Sequence, residues 1–243
     1  MVVADYDALS RRAAGLIDAA IRINPRLVLA LPTGGTPVAT YAELTARHRS
    51  TGTDWSQVTT FNLDEYCGVG PQHPESYARF MHRHLFGGVN LAPERCHLPD
   101  GLATNPAAEA MRYEAAIAAA GGLDLAVLGI GVNGHLGFNE PGADLVSATH
   151  VADLTDETWQ RNFPYLARAA AADPARRGEL RRAYTMGIGT ILQARAVLLL
   201  ASGAEKRPVV SQAFQGRVTT HNPASLLQLH RDVTILLDHA AAG

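Results

Sequence analysis

The sequence has few cysteines and no excess of basic residues, and each of these absences excludes a class of protein. Only two of the 243 residues are cysteines, Cys67 and Cys96, and neither belongs to a CxxC or CxxxC pair. This favours reduced thiols over a disulfide or a metal site. With 21 basic and 23 acidic residues, the net charge is −2. The chain therefore lacks the basic stripe typical of nucleic-acid-binding proteins.

Long apolar runs are also absent. No stretch reaches the roughly 18 apolar residues that a membrane-spanning helix needs. The N-terminal segment carries Asp5 and Asp7 and has no apolar run of the kind found in signal peptides. We therefore expect no membrane partner and a cytoplasmic location.

Short apolar runs alternate with amphipathic, helix-type stretches along the chain. Strands that are apolar throughout and separated by helices indicate an α/β fold, in which helices cover both faces of a parallel sheet. The strands are predicted at Leu27–Leu31, Val58–Leu63, Leu123–Ile130, Tyr184–Ile188, Ala196–Ala201 and Asp232–Leu237. The helices are predicted at Tyr6–Arg22, Pro37–Arg49, Pro74–Phe86, Pro106–Ala120, Asp156–Ala171 and Glu205–Gln215.

The chain shows no repeat, no low-complexity linker and no clear boundary. A length of 243 residues with 47% hydrophobic composition suits one large domain as well as two small ones. We therefore treat residues 1–243 as a single domain. The segment from Arg161 to Arg182 is dense in arginine and alanine. It predicts a helical cap near 156–182, with a solvated helical pair on the surface as the alternative.

The first polar segment, LPTGGTP at 31–37, follows a predicted strand and precedes a predicted helix. Gly34 and Gly35 allow a ligand to approach bare backbone N–H groups. The start of the helix adds partial positive charge. Thr33, Gly34, Gly35 and Thr36 are therefore candidates for a phosphate cradle, with an empty strand–helix turn as the alternative.

The second segment, FNLDEYCG at 61–68, places Asp64 and Glu65 after an apolar strand. We expect Asp64 at the end of that strand, on the same edge of the sheet as the glycines, because open α/β sheets bind ligands there. A carboxylate in that position can serve as a general base. The alternative is that Asp64 caps a turn and Glu65 is solvated.

The third segment, LGIGVNGHLGFNEPG at 128–142, is too rich in glycine for a helix or an ordinary strand. It predicts an irregular loop carrying Asn133, His135 and Glu140. His135 changes protonation near neutral pH, and Glu140 is placed to orient it or hold it charged. No metal is expected, since Asp64, His135 and Glu140 lack the familiar spacings of zinc ligands.

These segments, together with SGAEK at 202–206, closely resemble the glucosamine-6-phosphate deaminase family over roughly residues 5–238. The resemblance implies a Rossmann-like, doubly wound, mostly parallel sheet. It also implies conversion of glucosamine 6-phosphate and water to fructose 6-phosphate and ammonia without a cofactor. By position, Asp64 resembles the base, His135 the ring-opening acid/base and Glu140 its partner. Lys206 resembles a phosphate ligand opposite the glycines.

The sequence departs from the family pattern in several places. Asn133 stands where some members have Asp, and an amide cannot be a base, so it can relay only by hydrogen bonding. His150 and Ala152 replace basic residues of the allosterically controlled branch, whose longer C-terminal tail is also missing. We therefore predict no activator site. Pro164 stands where the family has a phosphate-binding arginine, and Arg161 or Arg168 is the candidate replacement.

Three other functions remain open. A lactonase-like hydrolase of the 6-phosphogluconolactonase type would share the glycine loop and the Gly-His pair, but not the FNEPG continuation that contains Glu140. A deaminase for another amino-sugar phosphate, such as galactosamine 6-phosphate, would suit the altered cap. A non-catalytic sugar-phosphate sensor would not need Asp64, His135 and Glu140 together. The sequence leaves a homo-oligomer possible.

Overall fold

The computed structural model describes residues 1–155 and 181–243. Numbered in chain order, its strands are β1 (Val2–Val3), β2 (Val28–Leu31), β3 (Thr59–Asn62), β4 (Asp64–Tyr66), β5 (Cys96–His97), β6 (Leu125–Gly129), β7 (His150–Asp153), β8 (Arg182–Thr185), β9 (Ala196–Ala201) and β10 (Val233–Asp238). The α-helices are α1 (Tyr6–Ile23), α2 (Val38–Thr51), α3 (Tyr77–His84), α4 (Pro106–Ala119), α5 (Ile188–Leu192), α6 (Arg207–Gln215) and α7 (His239–Ala242).

The main sheet contains seven strands in the order β1-β10-β9-β6-β2-β3-β5. Every neighbouring pair in it is parallel. The order runs outwards from β2 and β6 in both directions, as in doubly wound α/β folds. The predicted fold class is confirmed.

Alternate residues of the central strands enter two different apolar clusters. In β9, Val197 and Leu199 pack in a cluster with residues of α4, α5 and α6, whereas Leu198 and Leu200 pack in a cluster with residues of α1, α2 and α3. Side chains of a strand point alternately to opposite faces of the sheet. Helices therefore cover both faces, which explains why these strands are apolar throughout.

A second sheet, antiparallel and three-stranded, has the order β4-β8-β7. In it Asp64 pairs with Thr185 and Glu65 pairs with Tyr184. β3 ends at Asn62, and Asp64 lies just beyond this end, where the sequence placed it, but the sequence did not show that Asp64 begins β4 of the second sheet. The strand predicted from Tyr184 to Ile188 also ends early, because Gly187 interrupts it and caps the start of α5.

The five predicted helices that fall on described residues are present with shifted ends. The helix expected from Pro74 begins only after Ser76, whose hydroxyl accepts a hydrogen bond from the backbone N–H of Arg79 as an N-cap. The helix predicted at 156–171, and with it Arg161, Pro164 and Arg168, lies outside the described residues. So does most of the predicted cap, and Arg182 at its end opens β8 instead. Within 1–155 and 181–243, no helix has the length and apolar character to cross a membrane.

Candidate active site

A cavity of about 620 Å³ lies where the three segments singled out in the sequence meet. Its wall includes the loop between β2 and α2, Asp64 just beyond β3, the loop after β6, and Lys206 beyond β9. Each of these follows the carboxyl end of a parallel strand, where open α/β sheets bind ligands. The fold thus brings Thr33, Gly34, Gly35, Thr36, Asp64, Asn133, His135 and Lys206 to one cavity.

The glycine loop presents bare backbone to this cavity. Gly34 has a φ of 99°, a conformation that favours glycine, and a Cβ atom on Gly34 or Gly35 would meet no other atom within 4 Å. Tyr6 of α1 fixes the loop: its hydroxyl lies 3.1 Å from the carbonyl oxygens of Gly35 and Thr36 and 3.3 Å from the backbone N of Ala39. A held, open loop at the start of α2 is suited to an anion.

Asp64 is almost buried, at 6% exposure, yet it lines the cavity. Burial raises the pKa of Asp64 to about 7, against a smaller opposing effect of a hydrogen bond from the Thr33 hydroxyl at 3.4 Å. A carboxyl group with a pKa near neutrality can both accept and return a proton at that pH. The role of Asp64 as a general base, expected from the sequence, stays a prediction that this burial and this pKa favour.

Glu65, next to it, is buried and holds the start of α3. Its carboxylate accepts hydrogen bonds from the backbone N–H groups of Tyr66, Tyr77 and Ala78, at 2.9, 3.0 and 3.0 Å. Burial raises the pKa of Glu65 to about 8, although these hydrogen bonds act in the opposite direction. The alternative of a solvated Glu65 was wrong, because β4 turns both carboxylates into the protein.

The loop after β6 brings His135, Glu140 and Asn133 into contact. His135 Nδ1 lies 3.4 Å from Glu140 Oε2, and the amide of Asn133 donates to the same oxygen at 2.8 Å. Asn133 Oδ1 also accepts from the backbone N–H of His135. A Cβ atom on Gly131 would come within 2.4 Å of the His135 ring, so the ring's position requires glycine there. Glu140 lies behind the histidine and does not line the cavity.

Lys206 reaches the cavity from the segment that follows β9, and its Nζ donates to the carbonyl oxygen of Ile130 at 2.7 Å. Within the described ranges, no group of three or more His, Cys, Asp or Glu side chains is arranged to hold a metal ion. Arg161 and Arg168, the predicted replacements for the family's arginine, lie outside these ranges.

The family described as glucosamine-6-phosphate isomerases/6-phosphogluconolactonase matches residues 4–236. The chain belongs to this family. A curated relative from Thermoanaerobacter sp. (strain X514), named glucosamine-6-phosphate deaminase, is 40% identical over 100% of this chain and 93% of its own. A relative of the same name from Rhodopirellula baltica is 47% identical over 100% and 94% of the two chains.

Solved structures of family members have the same fold. A monomeric glucosamine-6-phosphate deaminase superposes with a TM-score of 0.91 at 40% identity, covering 100% of this chain and 98% of its own. The 6-phosphogluconolactonase from Trypanosoma cruzi superposes with a TM-score of 0.79 at 23% identity, covering 100% and 94%. At that identity the likeness concerns the fold alone.

Two residues of this family member's site were not found from the sequence. Tyr6 lies 29 residues before Gly35, and no local pattern connects a helix tyrosine to a distant loop. Glu65 was recognised only as the neighbour of Asp64. The HPESY segment at 73–77 indicated a helix start whose N–H groups need acceptors, but it did not show that Glu65 supplies two of them.

Proposed function

We propose that this chain converts glucosamine 6-phosphate and water to fructose 6-phosphate and ammonia. The observation that carries the proposal is one cavity lined by the buried carboxylate Asp64, the histidine paired with Glu140 and the bare glycine loop. Relatives that share 40–47% identity over their length are named for this activity. An aldose–ketose shift on a phosphorylated sugar needs these three functions: a base, a proton relay and an anion cradle.

The phosphate group of the substrate binds at the glycine loop in this proposal. Backbone N–H groups of Gly34, Gly35 and Thr36 donate to its oxygens, and the dipole of α2 favours its charge. Lys206 adds a full positive charge from another wall of the cavity. The sugar then extends from the loop towards Asp64 and His135.

His135 opens the sugar ring by moving a proton between the anomeric hydroxyl and the ring oxygen. Glu140 orients the imidazole, since its carboxylate lies 3.4 Å from Nδ1. Asn133 fixes Glu140 through the hydrogen bond to Oε2. As an amide it takes no proton itself.

Asp64 then moves a proton from C2 to C1 of the open sugar. Its pKa of about 7 lets it take the C2 proton as a carboxylate and return it as an acid. A second proton passes from the amino nitrogen to the C1 oxygen, so that the aldehyde becomes an alcohol and the C–N bond at C2 becomes an imine. Water adds to the imine and ammonia leaves, so one water is consumed for each ammonia released.

Replacing Asp64 tests the reaction and the base together. In Asp64→Asn, ammonia release from glucosamine 6-phosphate should have a kcat at least about 10²-fold lower, because general-base assistance is lost. Binding of fructose 6-phosphate should change little. The control is Asp144→Asn, which alters an exposed aspartate and should leave kcat within about twofold.

Wild-type protein that releases no ammonia from glucosamine 6-phosphate would reject the proposed substrate. Ammonia from galactosamine 6-phosphate alone would keep the reaction and change the sugar. Acid release from 6-phosphogluconolactone, without ammonia from any amino-sugar phosphate, would reassign the protein to the hydrolases of the family.

The cytoplasmic location and the possible homo-oligomer expected from the sequence remain predictions. Light scattering on the purified protein decides the second, and one solved relative at 40% identity is described as monomeric.

A further inference from the structure

The cavity wall carries a full positive charge that the proposed reaction has not used. Arg83 lies in the last turn of α3, is exposed, and lines the cavity. In the part of the chain that the structure describes, its guanidinium group enters no hydrogen bond or ion pair. Arg83 and Lys206 are the two lysine or arginine side chains on the described wall.

Arg83 stands close to where the glycine loop runs into α2. An adjoining cleft between α2 and α3 is lined by residues of both helices, and it shares Val38, Arg83 and His84 with the main cavity. Val38 is the first residue of α2 and follows the loop directly. Arg83 therefore marks the edge of the cavity next to the proposed phosphate site.

His84 is the other basic residue of α3 on this wall. Its ring packs against Phe80, with 4.4 Å between ring centroids. Burial, and to a smaller extent the charge of Arg83, holds the pKa of His84 below its usual range. The permanent positive charge that α3 brings to this wall is therefore that of Arg83.

The charge requirement of a phosphate monoester exceeds what Lys206 supplies. The ester carries close to two negative charges at neutral pH, whereas Lys206 offers one positive charge and already donates a hydrogen bond to the carbonyl oxygen of Ile130. Arginine presents several N–H groups in a planar fork that matches two phosphate oxygens. Two carboxylates also line the wall. Asp64 is assigned to C1 and C2 of the sugar in the proposed function, and Glu75 has interactions of its own.

We propose that Arg83 binds the phosphate group of the sugar phosphate held at the glycine loop, on the side facing α3. The proposal rests on the proposed function, because it takes a phosphorylated sugar as the ligand. With Arg83 as a ligand, both ends of α3 belong to the substrate site, because Tyr77 at the start of the helix and Arg83 in its last turn line the cavity.

Calorimetric titration with fructose 6-phosphate and with inorganic phosphate tests this directly. Arg83→Ala should weaken binding of both about tenfold or more, which is the effect of losing a charge-assisted contact. Arg83→Lys should recover part of the loss, since it keeps the charge without the fork. Arg83 is exposed, so neither change should affect folding.

Two exposed arginines serve as matched controls. Arg79 lies one turn earlier on α3 and outside the cavity wall, and Arg49 lines only the adjoining cleft. Arg79→Ala and Arg49→Ala should each bind fructose 6-phosphate within about twofold of wild type. An equal loss in either control would show a general charge effect and overturn the proposal, as would unchanged binding in Arg83→Ala.

Ammonia release, measured in parallel, separates this proposal from the proposed function. Weaker phosphate binding in Arg83→Ala, without ammonia from any protein, would support Arg83 and reject deamination. Normal deamination with an unchanged Michaelis constant in Arg83→Ala would support the proposed function and reject the role of Arg83. Wild-type protein that binds neither ligand would reject the glycine-loop cradle and Arg83 together.

Discussion

At the scale of single residues, the burial of Asp64 links activity to stability. Its pKa is raised from 3.8 to about 7 in the folded chain. At pH values between 3.8 and about 7, the carboxyl group of Asp64 holds its proton in the folded state and has largely lost it in the unfolded state. The stabilisation by Asp64 is therefore present below about pH 4 and is lost as the pH rises through about 7. At the higher pH, where Asp64 is ionised as the proposed base must be, the buried charge costs up to roughly 4 kcal/mol.

We therefore expect Asp64→Asn to stabilise the protein relative to wild type more at pH 8 than at pH 5. Asparagine has nearly the same shape and no charge, so it avoids the cost of the buried carboxylate. Removing the charge of Asp64 also makes Glu65 easier to ionise, which acts in the same direction. Urea unfolding of both proteins at the two pH values measures the difference. An equal difference at pH 5 and pH 8 would contradict the raised pKa.

Sequence patterns identified the residues whose side-chain type is unusual for their place in the chain. They missed residues that become candidates only through their place in the folded structure. Asp64, His135 and Glu140 stand out because acidic and basic side chains rarely follow an apolar strand or interrupt a glycine-rich loop without a reason. Arg83 lies in an amphipathic helix, where an arginine near the C-terminus ordinarily complements the helix dipole. Only the packing of α3 beside α2 makes it a candidate ligand.

At the scale of elements, α3 depends on a carboxylate from β4. Glu65 accepts hydrogen bonds from two N–H groups in the first turn of this eight-residue helix, groups that a helix cannot satisfy by itself. We expect Glu65→Gln to lower the free energy of unfolding at pH 5 by about 1–3 kcal/mol, because the side-chain NH₂ group would face the N–H of Tyr77 or Ala78. At pH 8 the loss should be smaller, because burial raises the pKa of Glu65 to about 8 and the amide removes the cost of a buried charge.

Urea unfolding at pH 5 measures this loss. The control is Glu94→Gln, at an exposed position, which should change the stability by less than about 0.5 kcal/mol. Activity should fall as well, since Tyr77 and Arg83 move with α3. A Glu65→Gln protein as stable as the control would show that α3 is held by packing alone.

The main sheet could be predicted, but the small antiparallel sheet could not. The strands β2, β6 and β9 are continuous apolar runs, which is the pattern of strands buried on both faces. β4 is three residues long and contains two carboxylates, a composition that disfavours strands. It forms because β8, more than a hundred residues later, pairs with it. Such a long-range contact overrides local propensity.

At the scale of the whole molecule, both apolar clusters share the same sheet. β9 contributes alternate residues to each of them, and so does β6, where Ala126 and Leu128 face one cluster and Val127 the other. The two ends of the chain are also joined, because Val2 of β1 pairs with Leu237 of β10. Loss of packing on one face would therefore weaken the sheet that the other face requires.

We therefore propose that residues 1–243 form a single domain and expect one cooperative thermal transition. Differential scanning calorimetry should give a calorimetric enthalpy near 170 kcal/mol, at about 0.7 kcal/mol per residue near 60 °C. A van't Hoff enthalpy close to that value would show that the chain melts as one unit. Two resolved transitions, or a van't Hoff enthalpy near half the calorimetric one, would mean that the helical layers separate. Fructose 6-phosphate should raise the midpoint temperature of this one transition, because it binds only the folded protein. The proposed binding cavity is built from loops on several strands of the same sheet, so the ligand should not split the transition.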